Sequence, residues 1–356
     1  MIVLNKIVKK LTAFAVVCTA AMSCAAGAFA ESFSDMPNDW RTGALENAVA
    51  NGLISGMGDG TIAPDANITR AQMAAIIVRA LGATEKTDIS MFADVSADKW
   101  YYDELAKAVY MQAFSGDGSN MNPEKNITFQ ECFTVLSRVF GLCYRIDDKA
   151  VDGVLAAYSD GAQVADWAKK YYASVVDGGY WTGGESKLLR PSEFITRGEF
   201  AVVMDNLVKK YITSDADAAE LPDGNVLVRG SDVKLDGKKI NGDLIIGDGV
   251  PANKISLNDV EITGNFVLRG CATPTMKEYK NSDGTTGEKL SYGDIGCAVT
   301  GSCTGVYIVA PYISADISGL KYSTGWAISD TNIFVNIMAG AEQSGTETES
   351  DGAQAE

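Results

Sequence analysis

The chain has 356 residues, with 30 Lys and Arg against 46 Asp and Glu, and a formal net charge of −16. A surface this acidic repels nucleic acid, and no basic patch with interleaved aromatics offsets it, so nucleic-acid binding is excluded as a function. The sequence contains no His, which removes His-dependent triads and His metal sites. It also contains no Walker loop, Gly-x-Ser-x-Gly elbow or complete EF-hand loop, and we predict neither a cofactor nor a metal site.

The N-terminus has the layout of a secretory signal peptide over residues 1–30. Three lysines precede an apolar run from Leu11 to Met22, and Ala28-Phe29-Ala30 offers a small-residue cleavage site. Acylation of Cys24, as in a lipoprotein, is the alternative. The apolar run is too short to span a bilayer, so we expect a secreted protein without membrane insertion after cleavage.

An internal repeat dominates the chain after the signal peptide. Three times a Pro is followed five residues later by a Thr that opens an apolar helical stretch, and an aromatic-x-Asp and a Trp come before it. The repeated features are Phe33, Asp35, Trp40, Pro64 and Thr69; Phe92, Asp94, Trp100, Pro123 and Thr128; Tyr158, Asp160, Trp167, Pro191 and Thr196.

Each repeat predicts a helix, a loop and a second helix. In the first repeat the apolar residues from Leu45 to Leu53 recur at helical spacing, and those from Met73 to Leu81 do the same. The second helix begins each time with a capping box, in which the Thr is followed three residues later by Gln or Glu. The box predicts where the helix starts and leaves an Arg at its first position unexplained.

This arrangement resembles the S-layer homology (SLH) domain, a surface-anchoring module found in threes. The resemblance assigns residues 31–87, 88–150 and 151–213 to three repeats. It implies a three-pronged helical pseudo-trimer with ligand grooves between adjacent repeats. It also implies a location at the cell wall or S-layer, with non-covalent binding of an acidic, pyruvylated secondary cell-wall polysaccharide or another peptidoglycan-linked glycan.

The resemblance also implies which residues contact the glycan. Arg70 and Arg197 fall at the first helical position, where a cation opposes the helix dipole, so exposed helix N–H groups and a guanidinium could together hold one carboxylate. A solvated Arg, or one paired with a neighbouring Asp, is the alternative. Phe129 replaces the Arg in the second repeat, so its groove is expected to be weak or structural. The remaining candidate ligand contacts are Asp35, Trp40, Gly56, Asp59, Gly60 and Thr69.

After Tyr211 the pattern changes to an acidic linker over 214–225, a β-rich module over 226–338 and an acidic, disordered tail over 339–356. Apolar positions between Val233 and Ile246 recur 22 residues later, which favours a short parallel β-solenoid. An ordinary β-sandwich is the alternative. Residues 277–288 are expected to form an exposed loop. The predicted fold class is therefore α+β in two parts, an SLH triplet followed by an all-β module.

The cysteines are interpreted as structural. Cys132 and Cys143 are predicted to lie on one helix, too far apart to bridge, with Cys132 packed as a small apolar residue. Cys271, Cys297 and Cys303 leave one disulfide or none as open alternatives.

Together these features predict a wall-bound surface protein that is not an enzyme. It would display a structural or adhesive β module and possess a capacity for self-association in a surface layer. One alternative is a wall-attached enzyme that acts on glycan through carboxylates of the β region, with Asp243, Asp248, Asp259 and Glu261 as candidates that mostly sit at turns. Another alternative is a tether between an outer membrane and peptidoglycan.

Overall fold

The computed structural model describes residues 33–250, 256–269, 275–280, 285–291, 297–298, 300–304, 307–309, 315–316, 320–322 and 327–328. They all belong to one unit, Ser32–Glu356. The expectations for the signal peptide, for Cys24, for Cys271 and for the tail over 339–356 lie outside these residues.

Helices occupy the first half of the described chain. The α-helices are α1 (Thr42–Ala50), α2 (Arg70–Leu81), α3 (Tyr102–Tyr110), α4 (Phe129–Val139), α5 (Val151–Ala156), α6 (Lys169–Asp177) and α7 (Arg197–Leu207). Short 3-10 helices cover Leu142–Tyr144, Gly161–Gln163, Asp166–Ala168 and Gly184–Ser186. The first repeat contains α1 and α2, the second contains α3 and α4, and the third contains α5, α6 and α7. The contacts between repeats pack α2 against α3, α4 against α6, and α7 against α1. None of the helices in the described ranges is long and apolar enough to cross a membrane.

The predicted capping boxes are confirmed in all three repeats. The Thr69 hydroxyl accepts from the Gln72 backbone N–H at 3.3 Å, and the Gln72 side chain accepts from the Thr69 N–H at 3.0 Å. The same reciprocal pair starts α4 and α7. Each box satisfies two backbone donors that the first helical turn would otherwise leave without partners.

Reciprocal contacts at the helix starts join the three repeats into a closed ring. Isolated β-bridges pair Asn67 with Thr196, Thr69 with Asn126, and Thr128 with Phe194. In each repeat the backbone N–H at the first helical position donates to a carbonyl of another repeat. These hydrogen bonds run from Arg70 to Lys125 at 3.0 Å, from Phe129 to Glu193 at 3.0 Å, and from Arg197 to Ala66 at 2.9 Å.

Parallel strands make up most of the second half. The strands are β1 (Lys210–Ile212), β2 (Val226–Val228), β3 (Lys239–Ile240), β4 (Leu244–Ile246), β5 (Ser256–Ile262), β6 (Asn265–Leu268), β7 (Thr275–Lys280), β8 (Thr286–Ser291), β9 (Cys297–Ala298), β10 (Thr300–Thr304), β11 (Tyr307–Val309), β12 (Ala315–Asp316), β13 (Leu320–Tyr322) and β14 (Ala327–Ile328). A six-stranded sheet has the order β1-β2-β4-β6-β11-β14, and a four-stranded sheet has the order β13-β10-β5-β3. The described pairings in both sheets are parallel, unlike the antiparallel sheets of an ordinary β-sandwich.

The strand register follows the 22-residue offset of the sequence. Leu244 pairs with Phe266, and Ile240 pairs with Ile262. The preceding coil is shorter, because Val226 pairs with Leu244, 18 residues later. Matching apolar residues therefore stack on one another along the parallel sheets.

Strands β2, β4 and β6 of the six-stranded sheet are buried on both faces, as their continuous apolar sequences require. Leu227, Ile245 and Val267 pack into the core of the helical repeats. Their neighbours along the strands, such as Val228 and Ile246, pack into a second core shared with the four-stranded sheet. The two halves of the described chain thus share an apolar interface.

Two segments differ from the sequence-based expectation. The predicted linker over 214–225 connects two adjacent strands, β1 and β2, and is held by Asp217, which accepts from the Thr213 N–H at 2.9 Å. Residues 277–288, expected as a loop, include parts of β7 and β8, which pair antiparallel. Backbone pairing satisfies the strand donors and acceptors whatever the side-chain polarity, so a polar composition does not exclude a hairpin. The proposed division of the chain into domains remains a prediction.

The cysteine interpretation is confirmed for one residue and wrong for the shared helix. Cys132 is fully buried in α4, and burial raises the pKa of its thiol well above the ordinary value. Cys143 lies beyond the end of α4, in the 3-10 helix Leu142–Tyr144, because Gly141 adopts a positive φ of 67° and ends the helical path.

Candidate functional site

The aromatic-x-Asp carboxylates hold the loops before the second helices. Asp35 accepts from the Ile62 N–H at 2.7 Å and from the Ala63 N–H at 2.8 Å, and Ala63 has a positive φ of 51°. Asp94 and Asp160 make the same pair of contacts in the other repeats. A non-Gly residue in this conformation is strained, and two charge-assisted hydrogen bonds offset that strain. The structure thus places Asp35 as a loop-holding residue, and its contact with a ligand remains a prediction.

Gly56, Asp59 and Gly60 shape the first-repeat loop. A Cβ at Gly56 would fall 2.5 Å from the Phe33 ring, so only Gly fits this packing. Asp59 accepts from the Thr61 hydroxyl at 2.6 Å, and this hydrogen bond lowers the pKa of the carboxyl. Gly60 has a φ of 84°, a conformation that favours Gly.

Arg70 and Arg197 each reach into the loop of another repeat. Arg70 donates from Nε to the Met121 carbonyl at 2.9 Å, and its guanidinium lies 5.7 Å from the centre of the Phe114 ring. Arg197 donates from Nε to the Ile62 carbonyl at 2.9 Å and from Nη2 to the Ser55 carbonyl at 3.1 Å. Burial lowers the pKa of both guanidinium groups.

The expectation of exposed helix N–H groups beside these arginines is wrong. The Arg70 and Arg197 backbone amides donate to carbonyls of neighbouring repeats, and the threonine caps occupy a further amide in each helix. The guanidinium groups therefore bridge repeats. Their hydrogen bonds to carbonyl oxygens offset the free energy that is lost when the charged groups are removed from water. Any ligand must approach their remaining N–H groups from the side of the loops.

Aromatic packing fills the interface that contains Phe129. Phe129 is fully buried, with its ring centroid 5.1 Å from that of Trp181. Arg190 lies over the Phe129 ring at 4.6 Å and forms an ion pair with Glu199 at 2.5 Å. The third repeat thus supplies a cation at this interface from the loop, since the helix start provides none. Arg190 is absent from the predicted site residues because it lies outside the repeated motif positions.

A cavity of about 360 Å³ lies where all three repeats meet. The first repeat supplies its loop and one face of α2, the second supplies Trp100, and the third supplies Arg197. Its lining comprises Ile54, Ser55, Gly56, Met57, Gln72, Ala75, Ile76, Arg79, Trp100 and Arg197. Trp100 is 60% exposed and Met57 is 51% exposed, so both remain accessible to a ligand.

The charge of the cavity is opposite to that of the chain. Two arginines line it, and among the described residues no carboxylate does. Arg79 is held by a hydrogen bond from Nη1 to the Leu53 carbonyl at 3.1 Å. A cationic, partly apolar cavity with an exposed indole suits an acidic sugar, because the ring faces stack on Trp and a carboxylate pairs with Arg.

The structure divides the predicted site residues among several places. Gly56 and Arg197 line the cavity. Arg70 lies elsewhere, beside the Phe114 ring of the second repeat, and the ring centroid of Trp40 lies 6.2 Å from that of Trp181 in the third repeat. Thr69 caps α2, and its partner Gln72 is the one that lines the cavity. Arg79, Met57 and Trp100 are absent from the predicted site residues, although the repeated Trp was a signal that could have indicated Trp100.

The candidate carboxylates of the β half, the part of the described chain from β1 onward, have structural partners. Asp243 is buried, forms an ion pair with Arg145 and accepts from the Asn265 N–H at 2.7 Å. Asp248, whose pKa is raised by burial, forms an ion pair with Arg269 at 2.9 Å. Asp259 and Glu261 lie within strand β5, which corrects the expectation that these carboxylates mostly sit at turns.

Comparison with known proteins identifies the repeats. The family model of the S-layer homology domain matches residues 32–74, 92–131 and 157–201, one match in each of the three repeats.

Curated relatives match about half of the chain. It is 26% identical over 179 residues to "Exoglucanase XynX" of Acetivibrio thermocellus, covering 50% of this chain and 16% of that protein. It is 32% identical over 189 residues to "Surface-layer 125 kDa protein" of Lysinibacillus sphaericus, covering 52% of this chain and 15% of that protein. It is 28% identical over 182 residues to "Cellulosome-anchoring protein" of Acetivibrio thermocellus, covering 49% of this chain and 38% of that protein. The chain thus spans less than half the length of each of these relatives.

These similarities place the chain among secreted, cell-wall-associated proteins of the cell surface.

Proposed function

We propose that the three S-layer homology domains anchor this protein non-covalently to the bacterial cell wall by binding an acidic, pyruvylated secondary cell-wall polysaccharide. Relatives whose names describe surface-layer and cellulosome-anchoring proteins support wall attachment. The observation that carries the choice of ligand is the cationic cavity of Arg79 and Arg197 in a chain with a net charge of −16. General attraction does not explain binding of an anionic polymer by an acidic protein, so the contacts must be local.

The lining residues would divide the recognition between them. Arg197 and Arg79 would hold the carboxylate of the pyruvate ketal, Trp100 would stack on a sugar ring, and the Gln72 amide would hydrogen-bond hydroxyl groups. The glycine at position 56 would keep the lining loop packed against Phe33. The predicted contacts from Arg70 and Trp40 would belong to the other repeat interfaces.

The β half would be displayed at the surface as a short parallel β-solenoid. Successive strands alternate between the two parallel sheets, with β2, β4 and β6 in one and β3 and β5 in the other. Each coil would then contribute one strand to each sheet and stack on the coil before it. Its role would be structural or adhesive, including self-association in a surface layer.

A wall-attached enzyme is the second candidate, favoured by relatives that are named as enzymes, such as "Exoglucanase XynX". The ion pairs of Asp243 with Arg145 and of Asp248 with Arg269 oppose it, because carboxylates that are occupied by arginines within the fold are not free to contact a substrate.

Sedimentation with wall sacculi tests the proposed function. The full chain should pellet with sacculi that retain their acidic polymer and remain in the supernatant with sacculi from which that polymer has been extracted. Pelleting with both preparations would point to peptidoglycan itself as the ligand, and pelleting with neither would refute wall anchoring.

A further inference from the structure

Arg229 of the β half bonds to the helical half next to the cavity. It directly follows β2, and it donates from Nη1 to the Arg79 carbonyl at 2.8 Å and from Nη2 to the Asn51 carbonyl at 2.9 Å. Its guanidinium also lies 5.0 Å from the centre of the Tyr211 ring. Both carbonyls lie at helix C-terminal ends, where a cation is favourable.

The two acceptors border the cavity. Arg79 lines it directly, and Asn51 leads into the loop that supplies Ile54 to Met57. The Leu53 carbonyl in turn accepts from Arg79 Nη1 at 3.1 Å. Arg229 therefore joins the start of the lining loop to the helix that forms the facing wall.

Close backbone packing keeps this contact in place. A Cβ at Gly82, just beyond α2, would fall 3.1 Å from the Arg229 Cβ. Gly249 donates to the Leu81 carbonyl at 2.9 Å, and a Cβ at Gly249 would fall 2.3 Å from the Gly82 carbonyl oxygen. The β half thus meets the end of α2 without room for a shift.

We propose that Arg229 is a positioning residue for the cavity, so that the β half takes part in shaping the glycan site. This inference rests on the proposed function for its ligand. Arg229 touches no lining surface itself and acts through the backbone of Asn51 and Arg79. Removing its guanidinium would leave the hydrogen bond from Arg79 to the Leu53 carbonyl as the remaining link described between the lining loop and α2, and would spread the cavity residues over more conformations.

Arg269 provides a matched control. It follows β6 as Arg229 follows β2, and it donates to the Met111 carbonyl at 2.9 Å and the Val139 carbonyl at 3.1 Å, at the ends of α3 and α4. Neither of those acceptors lines the cavity. Its loss should reduce stability while leaving the cavity in place.

The test uses the full chain as parent, Arg229→Met, Arg229→Lys and Arg269→Met. Hydrogen exchange over residues 51–57 and sedimentation with polymer-retaining sacculi are measured at a temperature where all four are folded. Arg229→Met should speed exchange over 51–57 and weaken binding about three- to tenfold. Arg229→Lys should recover part of both, since an ammonium lacks the two-donor fork. Arg269→Met should leave both at the parental level.

Parental exchange over 51–57 in Arg229→Met would overturn the proposal, as would an equal loss of binding in Arg269→Met. Should Arg229→Met fail to fold, Arg229→Lys carries the same comparison, and parental behaviour in that variant would be equally contrary. If the parent itself does not bind sacculi, the proposed function fails, while the exchange comparison still decides whether Arg229 positions the loop.

Discussion

Arg197, at the start of α7 in the third repeat, donates from Nε to the Ile62 carbonyl in the first repeat at 2.9 Å. The contact spans 135 residues of sequence and closes the ring of repeats. One side chain therefore stabilises the triplet and lines the candidate glycan cavity. Arg70 makes the corresponding contact with Met121 and does not line that cavity.

Replacing these arginines should separate the two roles. Arg197→Ala and Arg70→Ala each leave buried carbonyls without a charged donor, so each should lower the free energy of unfolding by about 1 to 3 kcal/mol in denaturant titrations. The helix dipole alone would predict little loss of stability, because it disfavours a cation at the first helical position. Arg197→Ala should also weaken sacculus binding more than Arg70→Ala. Equal binding by both variants would argue against the cavity as the principal site.

Arg79 should contribute to binding through its charge. Arg79→Gln should reduce affinity for polymer-retaining sacculi about tenfold, because a charge-assisted contact to a carboxylate contributes about 1.5 to 3 kcal/mol. Arg138→Gln is the matched control, since Arg138 has the same position in α4, is exposed and does not line the cavity. A similar loss in both variants would indicate a general charge effect, which a salt titration would reveal.

Trp100 should matter for binding and little for folding. Its side chain is 60% exposed, so Trp100→Ala should change stability by only about 0.5 kcal/mol, while the lost stacking surface weakens sacculus binding. Trp167→Ala serves as a control with a comparably exposed Trp, at 55%, that lies outside the cavity lining. Undiminished binding by Trp100→Ala would show that the indole does not contribute to glycan binding.

Cys132 should behave as a buried apolar residue. Cys132→Ala should lower stability by roughly 1 kcal/mol through lost contacts, without changing sacculus binding. Because burial raises the pKa of its thiol, labelling of Cys132 in the folded protein should stay slow even at pH values where an exposed thiol ionises, and should become fast on unfolding. Rapid labelling of the native protein would contradict the buried placement.

Phe129→Arg should disrupt the second repeat. The sequence pattern suggests that restoring the Arg would create a working groove, but Phe129 is fully buried and Arg190 already lies 4.6 Å from its ring. A second guanidinium would be desolvated beside a like charge, so unfolding should become easier by about 3 kcal/mol or more. Phe129→Leu, which keeps the apolar character, should cost less. Parental stability in Phe129→Arg would show that the packing around Phe129 can rearrange to accept an Arg side chain.

The sequence determined those features that depend on neighbouring residues. The capping boxes of Thr69, Thr128 and Thr196 follow from contacts three residues apart, so the motif alone placed the helix starts. The stacking of Ile240 on Ile262 also followed from a regular offset, because parallel coils align equivalent positions. Burial of Cys132 followed from its apolar equivalents in the other repeats.

Only the tertiary structure decided which residues share a site. Arg197 and Trp100 meet at the first-repeat loop although they come from different repeats, and Arg229 reaches Asn51 across 178 residues of chain. The repeat pattern does not show which residues of different repeats lie at the same interface, so the predicted contacts were spread over several interfaces. Local spacing carries no information about which carbonyl a long side chain will reach, because that depends on how the packed repeats and sheets bring distant backbone together.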